Sequence, residues 1–203
     1  MDISTVAISI ISSSIVSSIA VGLFPKLWDW WRESAKIKKE EKKLLNLLLY
    51  QFTALHDAGA SLGEQFAEHL DSPSFITDYA DPYIDNLYVI YQQIEATLQE
   101  LAKLDPSTAA GLRHSHYNNA SYHLFILKKF LASAKEWKKD LSKDNLIREL
   151  KSNRRNIDDS SVMIVKAAKI SMYIIASRID KEALKNLSST HPDKQLMAEF
   201  MKS

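Results

Sequence analysis

The chain has 203 residues, carries 26 Lys and Arg against 25 Asp and Glu, and contains no Cys, which excludes disulfide frameworks and thiolate metal sites. A hydrophobic content of 46% is that of a folded protein rather than a disordered one. Gly and Pro are scarce, at four and five, and no alternating run bounded by turn residues occurs, so the chain reads as all-α.

Residues 6–24 form an uncharged run of Ile, Val, Leu and Ala interleaved with Ser, preceded by Asp2 and followed by Pro25 and Lys26. A helix rises about 1.5 Å per residue, so the run covers a little under the roughly 30 Å of a bilayer's hydrocarbon core. Ile8, Ile10, Ile11, Ile15, Val16, Ile19 and Val21 each favour insertion by roughly 0.3–0.6 kcal/mol and outweigh the Ser residues. A single transmembrane helix at 6–24 is predicted, behind a short non-cytoplasmic tail at 1–5. Trp28, Trp30 and Trp31 follow at the depth where indoles anchor among headgroups. The juxtamembrane segment, 25–43, carries Lys26, Arg32, Lys36, Lys38, Lys39, Lys42 and Lys43, and the positive-inside rule then keeps the long C-terminal part cytoplasmic. The predicted location is the cell (inner) membrane. A cleaved signal peptide would need a basic leading segment that this sequence lacks. A core helix of a soluble protein is the competing reading of the run.

On a helical wheel Ile8, Ile11, Ile15 and Ile19 share one face, and Ser9, Ser13, Ser17 and Ala20 lie roughly opposite. In lipid, small residues at four-residue spacing let helix backbones approach and hydroxyls bond across the interface. Ser9-Ser13-Ser17 and Ser14-Ser18-Gly22 both fit that spacing, which points to self-association; hydroxyls bonded back to their own helix are the plainer account.

Residues 44–203 are predicted to form a cytoplasmic bundle of about four to five helices. Leu44, Leu48, Phe52, Leu55, Leu62, Phe66 and Leu70 make the first apolar stripe, broadened by Leu45, Leu47 and Leu49 and extending back to Ile37. Asp81-Pro82 reads as a cap and first-turn proline before Ile84, Leu87, Tyr88, Tyr91, Ile94, Leu98 and Leu101. Asp105-Pro106 repeats that punctuation ahead of Leu112, Tyr122, Ile126, Leu127, Phe130, Leu131, Ala134 and Trp137. A further segment holds Leu146, Ile147 and Leu150. Asp158-Asp159 marks a fresh start before Val162, Ile164, Val165, Ile174 and Ile175, a run that Lys166 and Lys169 make a core helix with one wet side rather than a second span. A short helix at 192–201 closes the chain.

Charge is distributed in blocks. Between 57 and 105 the ionisable residues are mostly acidic, whereas Lys128, Lys129, Lys135, Lys138, Lys139, Arg148, Arg154 and Arg155 belong to a basic block that follows. Such a block either faces the acidic one and water, or forms a surface for anionic lipid or nucleic acid.

No catalytic residue, cofactor site or metal motif is predicted. His114 and His116 point about 200° apart on a helix, and His116 and His123, two turns apart, have no carboxylate at the spacing that would complete a ligand set. Phosphate-binding glycine loops and nucleophile elbows are missing from the sequence. His191-Pro192-Asp193 resembles the loop tripeptide of J-domain co-chaperones over those residues alone; Thr190 as cap, Pro192 in a first turn and Asp193 at the positive end of a helix dipole explain the same letters.

The sequence therefore predicts a membrane-anchored, non-enzymatic bundle that binds a macromolecular partner, most simply a protein. The alternative is a membrane-perturbing effector acting as a homo-oligomer through its Ser-faced helix. In that layout the chain is similar to small membrane effectors of bacterial anti-phage systems, such as those encoded beside retron reverse transcriptases, and the resemblance implies a role in antiviral defence. Replacing Ser9, Ser13 and Ser17 together with Leu keeps the run apolar, so membrane targeting should survive while close helix approach is blocked. An effector should lose the depolarisation it causes, read by a potential-sensitive dye in expressing cells. Equal depolarisation by both forms would rule out the Ser-face mechanism.

Overall fold

The computed structural model describes residues 26, 28–69, 71, 72, 74, 76, 80–114 and 118–200 in full and, for 3–25 and 27, the backbone alone. Among the described residues the regular elements are all helices: α1 (Ile3–His69), α2 (Asp81–Leu104), α3 (Pro106–Leu112), α4 (Asn118–Asp140), α5 (Lys143–Ser152), α6 (Arg154–Ile179), α7 (Lys181–Thr190) and α8 (Lys194–Phe200). The chain divides into two compact units, Met1–Glu41 and Lys42–Ser203. In the first unit Trp28, Trp30 and Trp31 are exposed, with the Trp28 and Trp31 rings 5.4 Å apart. Among the fully described residues no helix is long and apolar enough to cross a membrane. The run 6–24, on which the span and the Ser face were predicted, lies outside those residues.

The second unit is the bundle, and its helices bury stripes at heptad spacing. From α1 come Leu45, Leu48, Phe52, Leu55, Leu62 and Phe66; from α2 Ile84, Leu87, Ile94, Leu98 and Leu101; from α4 Ala120, Leu124, Leu127, Leu131 and Ala134. Steps of three and four keep each set on one helical face, so one seam of a neighbour covers it. The helix α6 differs. It buries Ile157, Ser160, Ser161, Ile164, Ala167, Ala168, Ser171, Met172, Tyr173, Ile175 and Ala176, about half its circumference with Tyr173 added beyond it, and packs against α4, α5, α7 and α8. Small residues make that possible on the α1 side as well. A Cβ on Gly59 would stand 3.1 Å from Val165 Cγ2 and 3.3 Å from Ile164 Cγ2, and one on Gly63 would stand 3.1 Å from Ser161 Oγ.

The structure corrects several sequence expectations. More helices are present than the four or five predicted, because the third predicted helix is two, α3 and α4, and because α7 is separate from α6. Asp158-Asp159 does not open a helix. Arg154 and Arg155 precede these acids by one turn and pair with them at i,i+4, 3.4 and 3.8 Å away, so α6 begins earlier, at Arg154. Asp105 caps α3 as predicted, accepting from the Thr108 amide at 3.0 Å, but Asp81 lies inside the first turn of α2 and caps nothing. Thr190 is not the cap of the last helix. Its hydroxyl bonds back to Asn186 and Leu187 carbonyls, and Asp193 caps α8 by accepting from the Gln195 and Leu196 amides, each at 3.1 Å. Tyr88, Tyr122, Val162, Leu47 and Ile37, placed in apolar stripes on sequence grounds, are exposed. Tyr122 falls about 200° from Ala120, on the far side of the α4 seam.

Two substitutions separate apolar packing from polar burial in this core. Leu55→Ala, at a position fully shielded from solvent, should cost about 2–5 kcal/mol. Ser171 is also fully buried, and its Oγ meets no hydrogen-bond partner among the described residues, so Ser171→Ala should be neutral or stabilising by up to about 1 kcal/mol. Chemical denaturation followed by circular dichroism checks both. A Ser171→Ala loss as large as that of Leu55→Ala would contradict this account of the core.

Candidate functional site

The basic block does not stand apart from the acidic one. Lys135 Nζ lies 2.6 Å from Asp81 Oδ2, Lys151 Nζ 2.9 Å from Asp71 Oδ1, and the Arg113 guanidinium donates to Glu95. These pairs tie α4 to α2, α5 to the segment after α1, and the end of α3 to α2. Lys139 pairs with Glu136 at 2.9 Å, which pushes its ammonium pKa up, and Arg148 donates to Asn145 Oδ1 at 3.0 Å. Arg154 and Arg155 are held by Asp158 and Asp159. Lys128 sits over the Tyr88 ring, 4.1 Å from its centroid, a cation–π contact. Lys129 and Lys138 are exposed on α4. The predicted basic residues are therefore spread over three helices, and four of the eight, Lys135, Lys139, Arg154 and Arg155, stand at carboxylates that offset their charge.

Beside Lys128 and Lys129, α4 exposes two aromatic rings. Tyr122 is 60% and Phe125 66% accessible, and Val162 of α6 is 61% accessible. Spacings of three and four place Tyr122, Phe125 and Lys129 along one outer stripe of α4. Aromatic rings exposed on adjacent turns of one helix are of the residue types that protein interfaces favour, whereas lysines are depleted there.

A second constellation, missed by sequence reasoning, lies where α1 meets the α7–α8 turn. His56 Nδ1 donates to Asp57 Oδ1 at 2.9 Å, and the His56 and His191 rings meet edge to face with centroids 4.8 Å apart. The turn is held at every residue. The His191 amide donates to Leu187 O at 2.8 Å and the Tyr173 hydroxyl to His191 O at 3.0 Å. Lys169 Nζ donates to Pro192 O at 3.0 Å and lies 3.5 Å from Asp193, the α8 cap. Burial, and then the neighbouring His56, push the His191 pKa down; the Leu196 amide and Lys169 hold the Asp193 carboxyl low. The His-Pro-Asp letters thus build a rigid turn in this chain. His114, by contrast, is exposed, and His116 lies outside the described residues. No protein-family profile, curated protein or solved structure matches this chain.

His123 joins α4 to α6 through Ser160 Oγ, 3.3 Å away, and burial lowers its pKa against a smaller opposing pull from Asp159. A histidine depressed below its ordinary 6.5 is protonated first in the unfolded chain, so stability is full above that pH and falls as the pH drops through the window beneath it. The thermal midpoint should decline on acidification from about pH 7.5 to 5.5, and His123→Gln should flatten part of that decline. Parallel curves for parent and variant would mean that His123 does not titrate with folding.

Proposed function

We propose that this chain is a single-pass, membrane-anchored bundle that binds a macromolecular partner at the membrane without catalysis, with residues 44–203 in the cytoplasm under the cell (inner) membrane. One observation carries the membrane half of this reading. Trp28, Trp30 and Trp31 are 49, 67 and 58% accessible, although a buried indole contributes roughly 4–6 kcal/mol at 150–250 Å² per ring. Three such rings directly after an uncharged apolar run suit the headgroup region, which solvates the indole N–H and shelters the ring.

The partner half rests on the outer face of α4. Tyr122 and Phe125 supply apolar anchors, and Lys128, oriented by Tyr88, supplies an adjacent cation. A protein surface with an apolar centre and acidic rim fits this face better than nucleic acid or anionic lipid does, because Lys135, Lys139, Arg154 and Arg155 already sit at carboxylates. The effector reading draws its support from the small-xxx-small spacing of Ser9, Ser13 and Ser17, which suits clustering in lipid.

The intact protein should remain in the membrane pellet through a carbonate wash. Tyr122→Ser with Phe125→Ser should leave stability within about 0.5 kcal/mol, as expected of exposed sites, while abolishing in-cell photo-crosslinks from a reactive residue placed at position 129. Recovery in the soluble fraction would overturn the membrane half, and unchanged crosslinks in the double variant would overturn the α4 face.

A further inference from the structure

We propose that His56, Asp57 and His191 form a binding site for a divalent transition-metal ion of the zinc class, joining α1 to the turn between α7 and α8. One donor atom from each of the three residues lies within 4.8 Å of the other two. Bonds of about 2.0–2.1 Å at tetrahedral angles set donor atoms about 3.4 Å apart. All three donor atoms lie within 4.8 Å of one another, and ligation through His56 Nδ1 would replace its hydrogen bond to Asp57, the ring proton passing to Nε2. Small side-chain rotations of about 1 Å complete the set.

The donor chemistry selects the ion. Two imidazole nitrogens and one carboxylate oxygen suit zinc and its neighbours, whereas magnesium and calcium take sets made of oxygen. Ligation needs uncharged imidazole nitrogens and an ionised carboxylate. Exposure is graded in the same sense: the His56 side chain is only 17% accessible and that of Asp57 61%. His56 is therefore on the shielded side of the cluster and the carboxylate on the solvent side, where water would complete the coordination of a bound ion.

Rigidity supports the reading. His56 is carried on a helix whose preceding residue, Leu55, is fully buried. His191 is fixed by its own amide, by Tyr173 and, one residue on, by Lys169. Donors held this way give up little freedom when an ion binds. Lys169 works against the site, but its charge is already directed to Asp193 and Pro192 O. The site is independent of the α4 face and of the anchor.

The test uses the full chain, purified and stripped with a chelator, and titrates Zn²⁺ in competition with a chromogenic chelator while thermal midpoints are recorded. One Zn²⁺ should bind per chain and raise the midpoint, as any ligand selective for the folded state does. His56→Gln, His191→Gln and Asp57→Asn should each weaken binding at least about tenfold, and His114→Gln and His123→Gln should leave it unchanged. If a His variant loses its helical dichroism, Asp57→Asn, at an exposed side chain, decides alone. Absence of stoichiometric binding, or binding that persists in folded His56→Gln and His191→Gln or in Asp57→Asn, would overturn the site.

Discussion

Close approach of α1 and α6 is the constraint on which the rest of the bundle depends. Gly59 and Gly63 bring the α1 backbone within side-chain reach of Ser161, Ile164 and Val165, and α6 buries 11 of its 26 residues. A helix covered on so many sides leaves room only for small residues where its neighbours crowd, hence Ser160, Ser161, Ala167, Ala168, Ser171 and Ala176. With α6 seated, α4 and α7 have a surface to cover and α8 can close against it. Phe66 then meets Phe130, with ring centroids 6.3 Å apart, carrying the α1 stripe onto α4.

Apolar burial, not charge pairing, holds this arrangement. Each fully buried Leu or Ile contributes about 1.5–3 kcal/mol, and the core has many. The ion pairs that link helices are half-exposed, as Lys135 and Asp81 are at 41 and 33%, and pairs of that kind contribute about 0–1 kcal/mol. Their role is register. Lys42 holds Asp180, whose carboxyl also caps α7 through the Ala183 amide, and both bonds push that pKa down. One acid thereby fixes the start of a helix and its place against α1.

The same economy shapes the two functional candidates. The inner seam of α4 lies in the core, and its outer stripe of Tyr122, Phe125 and Lys129 is left in water. The α7–α8 turn is held by backbone bonds to α6 and α7, and the His191 ring lies against His56.

What the sequence determined by itself is what local spacing and local chemistry control. The helical class, the stripes of α1 and α2, the break at Asp105-Pro106 and the core status of α6 despite Lys166 and Lys169 all follow from periodicity of three and four and from side chains that reach their own backbone. Local signals also misled where two were compatible with the letters: Asp158-Asp159 looked like a start, but an arginine pair one turn earlier made it a helix interior. Tertiary structure alone decided which faces are covered. Periodicity cannot say that Tyr122 and Val162 face outward, because that depends on where the neighbouring helix lies. Nor can it bring together residues distant in the chain, such as Lys42 and Asp180, 138 positions apart, or His56-Asp57 and His191, whose meeting is set by how α6 and α7 turn the chain back onto α1.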